Sequence, residues 1–285
     1  LPRHHQDSEQ MTDLKQQHID VVKLNLDFLH FAPTNLKIRT KSGEIKPFQL
    51  NKSQLYIHSK LEEQKAQTGK VRAIILKGRQ QGTSTYIQAR DYHLCTFNFG
   101  LRAFILTHEQ SATDNLFKIT ERYHEHNNIT LKPKTGAHNA KEIYFPGLES
   151  GYQVGTAGNK NVGRSQTIQL FHGSEAAFWD NTDDIVTGIM QTVPDMPGTE
   201  IILESTANGI GNYFHQQWQA AVAGESEFIP IFIPWYWQTE YKKPVPSDFI
   251  ATEEELKIQS VYGLDDEQLM FRRHKIVELS GDDSN

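Results

Sequence analysis

Cysteine is almost absent: Cys95 is the single one in 285 residues. One thiol makes no internal disulfide and no cysteine-rich zinc site, and such usage sets the expectation of a reducing, cytosolic compartment. Long apolar runs are absent too, since none approaches the ~20 residues of a membrane span. The opening stretch LPRHHQDSEQ is polar, so no secretory leader is expected. There is no excess of positive charge. The 29 Lys and Arg against 35 Asp and Glu leave a net charge of −6, unlike a strongly basic nucleic-acid module. The 19 Gly and 11 Pro are too few for a collagen or a low-complexity linker. What is present, 37% hydrophobic residues, suffices for one large domain or two small ones with a real core.

The order of elements is informative. Residues 11–30 carry apolar side chains at mostly helical spacing. Pro33 and residues 37–47, with Ser42-Gly43, read as an extended stretch with a turn. Five short apolar runs follow, at 71–77, 101–107, 167–172, 199–204 and 228–233. Helical segments are expected at about 84–97, 109–126, 182–192 and 211–223, and a hairpin at 142–146 with 152–157. Two charged helices, 252–261 and 265–279, come last. Short buried strands alternating with helices predict an α/β fold, a mostly parallel sheet covered by helices on both faces. In such sheets ligands sit at the carboxyl ends of the strands, which places chemistry just after residues 77, 107, 172 and 204.

Three strand ends and one helix start carry candidates. Lys77-Gly78-Arg79-Gln80-Gln81-Gly82-Thr83-Ser84-Thr85 joins the first strand to a helix. A phosphate-binding loop needs glycines, a helix N-terminus, a cation, and a hydroxyl for Mg²⁺. Gly82 and Ser84 stand at the consensus glycine and hydroxyl positions, whereas the consensus lysine position holds Thr83; Lys77 and Arg79 are the nearby cations. By itself the segment is equally an ordinary Gly-containing turn. The third strand leads to Ser174-Glu175. Nucleotide hydrolases with such a loop place Asp-Glu here, one acid for Mg²⁺ and one for the attacking water; the alternative is a helix cap, with Ser174 capping and Glu175 in the first turn. After the fourth strand, Ser205-Thr206-Ala207-Asn208-Gly209 is either a sensor of the γ-phosphate or a plain turn. Upstream, Gln54 offers a donor–acceptor pair for an adenine edge, or Asn51 simply caps a surface helix.

Phe48…Gln54, Gly78 to Thr85, Ser174-Glu175-Ala176-Ala177-Phe178-Trp179 and Glu204-Ser205-Thr206-Ala207-Asn208-Gly209 occur in that order. Together they resemble the large terminase subunit of tailed bacteriophages, over roughly residues 48–280. The resemblance implies a RecA-like P-loop ATPase core at 46–250, an N-terminal helical and extended segment at 1–45, and a C-terminal helical segment at 251–285 leading toward a nuclease domain outside this sequence. It implies ATP and Mg²⁺ as ligands, with Gln54, Lys77, Gly78, Arg79, Gln80, Gln81, Gly82, Thr83, Ser84 and Thr85 binding nucleotide. Ser84 and Glu175 would hold Mg²⁺, partly through water. Glu175, Arg79 and Arg164 would be catalytic, Arg164 in trans, and Ser205, Thr206 and Ala207 would couple hydrolysis to motion. The implied activity is ATP hydrolysis that drives double-stranded DNA into a procapsid in the host cytoplasm. The implied partners are the portal protein, the small terminase subunit and further copies in a ring.

Two departures stand out. Thr83 occupies the lysine position, which terminases with an early lysine fill from the place of Lys77. Ser174 occupies the aspartate position, which would weaken Mg²⁺ placement. Two other readings share these features: a helicase-like or other RecA-like remodelling ATPase, and a nucleotide-binding scaffold with little hydrolysis. The histidines are scattered without a metal-ligand spacing, Trp235 and Trp237 read as packing residues, and Lys132, Lys134, Lys141 and Lys160 as solvated surface.

Overall fold

The computed structural model describes residues 20–129, 132–136, 138–157, 167–180, 182 and 188–280. The protein has two compact units. The smaller takes Gly78–Gln81 together with the chain from Ile233 onward, and the larger takes the rest.

In the larger unit, α1 (Phe28–Asn35) is capped by the Asp27 carboxylate and contains Pro33. The expectation of an extended backbone at Pro33 is corrected here. Burial of Phe28, Phe31 and Ala32 offsets the one ladder bond that a proline forfeits. β1 (Lys37–Arg39) and β2 (Ile45–Pro47) form an antiparallel ribbon around Ser42-Gly43. α2 (Lys52–Thr68) starts at a capping box made by Asn51 and Gln54 and stops at Gly69, φ 76°.

The central sheet consists of β3 (Val71–Lys77), β4 (Arg102–Thr107), β5 (His138–Asn139), β6 (Glu142–Phe145), β7 (Ser150–Thr156), β8 (Leu170–Ser174), β9 (Glu200–Ser205) and β10 (Ile229–Ile233). Their spatial order is β10-β3-β9-β8-β4-β7-β6-β5. β3, β9, β8, β4 and β7 are mutually parallel; β6 pairs antiparallel with β7 as the expected hairpin, and β5 adds antiparallel to β6. All five predicted strands are therefore present. The third starts later and runs further than its apolar run, to Ser174, because Gly173 and Ser174 pair with Leu203 and Glu204. Gly173 has no room for a side chain: a Cβ there would lie 2.6 Å from Trp179 and 2.7 Å from Leu203. Of the expected helix at 182–192, residues 183–187 lie outside the described residues, and Met190–Thr192 forms a 3₁₀ turn.

Side chains alternate between the two faces of the sheet. Register puts Glu200, Ile202 and Glu204 of β9 on one face, beside Leu170, His172 and Ser174 of β8. α3 (Thr83–Phe97) covers that face: Arg90 donates to both Glu200 oxygens at 2.7 and 2.8 Å, and Gln88 bonds His172 at 2.7 Å. On α3's other flank lies α4 (Gln110–His126), where Tyr123 donates to the Thr85 carbonyl at 3.1 Å. The opposite sheet face carries Ile74, Phe171, Ile201 and Leu203, in one apolar cluster with Phe214 and Ala221 of α5 (Tyr213–Ala223). Helices thus cover both faces, and a strand sealed on both sides reads as a nearly unbroken apolar run.

One buried acid in α3 is poorly satisfied. Asp91 is 2% exposed, and its Oδ2 has no hydrogen-bond partner. Burial, reinforced by Glu200 and opposed by Arg90, pushes its carboxyl well above the ordinary range. The folded state therefore keeps a proton that the unfolded state releases above the ordinary aspartate range, and stability falls as pH rises through that window. Asp91→Asn removes this term. Thermal unfolding is expected to show the variant gaining on the parent between ~pH 5 and ~pH 8; an equal difference at both would refute the assignment.

The smaller unit holds α6 (Glu253–Tyr262), with a Thr252/Glu255 capping box, and α7 (Asp266–Ser280). Arg273 pairs with Glu255 at 2.6 Å and lies over the Phe249 ring at 4.5 Å. Trp235 and Tyr241 both stack on Phe271, with ring centroids 5.6 and 4.7 Å away. Trp235 is thus a packing residue, as its sequence setting indicates.

Candidate active site

The parallel strands β3, β8 and β9 end on the same side, and their ends bring five functional groups together. Lys77 closes β3, Ser174 closes β8 with Glu175 next, and Glu204-Ser205 closes β9. Lys77 Nζ lies 2.7 Å from Glu175 Oε1 and 3.0 Å from Glu204 Oε2. Ser84, in the first turn of α3, donates to Glu204 Oε1 at 2.6 Å, and Ser174 donates to the same oxygen at 2.8 Å. The Gln88 side-chain amide donates to His172 Nδ1, and His172 Nε2 is 3.4 Å from Glu204 Oε1.

The helix-cap reading of Ser174-Glu175 does not describe this geometry. Only a 3₁₀ turn, Ala176–Phe178, follows, and Glu175 makes no side-chain cap to it. The Glu175 carboxylate instead turns to the strand ends. Its Oε2 accepts from Ser205 Oγ at 3.2 Å, from the Thr206 amide at 3.2 Å and from Thr206 Oγ1 at 3.4 Å. Its backbone sits in the left-handed region, φ 51°, which is costly for a residue with a side chain. Ser205 is fully buried and also accepts from the Ala177 amide at 3.2 Å. Ala207 is exposed.

Electrostatics tighten the cluster. Burial alone would raise the Glu204 carboxyl, but Lys77, His172 and Ser84 outweigh it and hold the group below the usual carboxylate range. Burial alone would lower the Lys77 amine, yet Glu204 and Glu175 raise it well above its ordinary value. Glu204 has no exposed side-chain surface and Lys77 has 7%, so this is a buried charge cluster in its ionised form.

The remaining predicted residues fall around the start of α3 and in the smaller unit. Gly82, φ 76°, precedes α3, and its carbonyl accepts from Gln54 Nε2 at 2.8 Å. Gln54 Oε1 accepts from the Asn51 amide at 2.9 Å, so each end of the Gln54 amide already holds one protein partner. Thr83, where a lysine was expected, is buried with its hydroxyl unpartnered. Within the smaller unit, the Arg79 carbonyl accepts from Tyr241 at 2.6 Å, the Gln80 carbonyl from Gln238 at 2.7 Å, and the Gln81 amide donates to the Trp235 carbonyl at 3.3 Å. Gly78 passes so close to Trp235 that a Cβ would lie 3.1 Å from its Cα. Arg79 itself is exposed. Arg164 and Lys160 lie outside the described residues.

Comparison with known structures now bears on this arrangement. No sequence-family model matches the chain. The large terminase of bacteriophage HK97 superposes with a TM-score of 0.62 at 13% identity, over 89% of this chain and 51% of the HK97 chain. The ATPase domain of the Thermus phage P74-26 large terminase superposes at 0.53 and 17% identity, over 80% of this chain and 91% of that domain. The fold is that of the large terminase ATPase domain. A large terminase from a thermophilic bacteriophage, solved in complex with ADP, superposes at 0.50 and 12% identity, over 73% of this chain and 49% of its own. The chain therefore spans about half the length of the HK97 terminase and of the ADP-bound one. This terminase-type fold is the RecA-like α/β architecture read from the sequence. No helix among the described residues is long and apolar enough to cross a membrane.

Glu204 is the site residue that sequence reading passed over. In the sequence it reads as the last residue of an apolar strand, TEIILE. The signal was available: two glutamates four residues apart in a buried central strand each need a cation. Glu200 takes Arg90, and Glu204 takes Lys77.

Proposed function

We propose that this chain is the ATPase part of a phage DNA-packaging motor, hydrolysing ATP to move double-stranded DNA into a procapsid. The observation that carries the reading is the joining of Lys77, Glu175 and the Ser205-Thr206 strand end at the carboxyl edge of a parallel sheet, in a terminase-type fold. Lys77 is a cation at the head of a glycine-containing loop that enters a helix, suited to phosphate oxygens. Glu175 is a carboxylate at the adjoining strand end, suited to orienting and deprotonating water. Ser205 and Thr206 grip that carboxylate, so a change at its water side is felt directly by β9. Gln54 and the segment Gly78–Thr85 would bind the nucleotide, with Arg79 and Arg164 meeting transition-state charge, Arg164 from a neighbouring copy in the ring.

The donor set fits magnesium, which prefers oxygen ligands and one or two carboxylates beside substrate phosphates and water. Ser84 and Glu175 would hold it, the latter through water. Among the described residues no three His, Cys, Asp or Glu side chains gather into a metal site, so the ion would come with the nucleotide. Its contribution is to neutralise charge between the transferred and leaving phosphates. The terminase solved with ADP supports nucleotide as the ligand class. The portal protein and small terminase subunit are the partners such a motor requires.

The test is ATP turnover with and without double-stranded DNA, over a range of chain concentrations. The packaging reading expects DNA stimulation and a rate per chain that rises with concentration as arginines are supplied in trans. Unstimulated turnover at every concentration favours a different remodelling ATPase, and tight binding without turnover favours a scaffold.

A further inference from the structure

The sequence puts Ser174 where the metal-side aspartate of a P-loop ATPase is expected, and a serine hydroxyl is a poor substitute for a charge on a divalent ion. The structure supplies a carboxylate one strand away. Ser174 and Glu204 are direct neighbours across the parallel β8–β9 ladder, and strands in a sheet are about 4.8 Å apart. Glutamate is one methylene longer than aspartate, which helps the β9 side chain reach across that spacing. It arrives where the serines are: Oε1 of Glu204 takes the hydroxyl hydrogens of both Ser84 and Ser174. The hydroxyl expected to meet magnesium is thus already bonded to a carboxylate, and not one from the strand where sequence patterns look for it.

The geometry points to Glu204, together with Ser84, as the carboxylate that positions magnesium in the nucleotide complex, in place of the aspartate that β8 lacks. This rests on the ATPase reading given above. Two features separate Glu204 from a passive anchor for Lys77. Lys77 already has a carboxylate partner in Glu175 at 2.7 Å, so a second, fully buried one is not needed to hold the lysine. Both serine hydroxyls also converge on the Glu204 oxygen that Lys77 does not pair with, forming a set of three oxygens from α3, β8 and β9. His172 backs the set from the sheet side, with Nε2 3.4 Å from the same oxygen, and Gln88 fixes its ring orientation.

The experiment measures ADP binding by calorimetry in Mg²⁺ and in EDTA, for the parent chain, Glu204→Gln and Ser174→Asp/Glu204→Gln. Thermal unfolding of each is recorded in parallel. The parent is expected to bind ADP more tightly in Mg²⁺. In Glu204→Gln the ratio of ADP affinity in Mg²⁺ to that in EDTA should fall by about tenfold or more, the scale of losses at metal-supporting groups. Ser174→Asp should restore that enhancement by returning a carboxylate to the β8 side, an effect that a packing role for Glu204 does not produce. Mn²⁺ resonance spectra taken with ADP give the same readout without turnover: the spectrum should change in Glu204→Gln and return toward the parent's in the double variant. A Glu204→Gln chain that keeps the full Mg²⁺ enhancement overturns the assignment. So does a double variant that folds and recovers none of it, and this second arm decides the matter if the single variant does not fold. A parent chain that binds no ADP under either condition overturns the ATPase reading itself, a result distinct from the other two.

Discussion

Glu175→Gln keeps nucleotide affinity and loses turnover by about 10²–10⁴-fold, the size of effect expected when a general base is removed. The amide preserves the shape of the carboxylate. Its oxygen can still accept from Ser205 and the Thr206 amide, which now bond Glu175 Oε2 at 3.2 Å each, so the β9 contact survives. What is lost is the negative charge that draws a proton from water. Lys77 retains Glu204 at 3.0 Å, so the fold around the cation is kept as well. Single-turnover hydrolysis beside ADP binding checks the split. Near-normal turnover would return Glu175 to a structural role at the strand end.

Lys77→Ala has the second large effect, and it acts on stability as well as on ligand. The substitution removes the cation at the head of the phosphate loop and leaves Glu204 fully buried without its ion-pair partner. Breaking a buried pair from one side costs about 3–5 kcal/mol. The pH dependence has a definite sign. In the parent, Glu204 is held below the ordinary carboxylate range, so its stabilisation is present above the unfolded pKa and is lost only as pH falls through the lower folded one. In Lys77→Ala, burial dominates and the folded carboxyl rises above its unfolded value. The variant then loses stability as pH climbs from the unfolded carboxylate range toward neutrality. The gap between parent and variant should widen over ~pH 4 to ~pH 7 in chemical denaturation. It should shrink in Lys77→Ala/Glu204→Gln, where no buried charge is stranded. A pH-independent gap, unaffected by the second substitution, would mean that the two side chains are not energetically coupled.

Much of the larger unit is legible in the residues. Strands such as Val71–Lys77 and Glu200–Ser205 announce themselves because a sheet covered on both faces demands uninterrupted apolar runs, and that pattern predicts which ends carry chemistry. That pattern singles out Lys77 and Glu175, and the structure places them 2.7 Å apart. Other features depend on partners far along the chain. Pro33 argues locally for an extended backbone, and burial of Phe28 and Phe31 overrides it. Glu204 looks like a strand terminus until register sets it beside Ser174. Which β9 residues face α3 depends on the pairing of β9 with β8 and β3, and side-chain period alone leaves that choice open. The engagement of Gln54 with Gly82, 28 residues away, is likewise invisible to local pattern.

The left-handed backbone at Glu175, φ 51°, has a consequence for anyone improving this protein. Glycine adopts that conformation without steric penalty, whereas glutamate pays roughly 1 kcal/mol or more to do so. A library screened for heat resistance alone would therefore be drawn to Glu175→Gly, trading the water-facing carboxylate for a relaxed main chain. Selection for durability and selection for work pull in opposite directions at this position, so a screen of thermal survivors should hold codon 175 fixed.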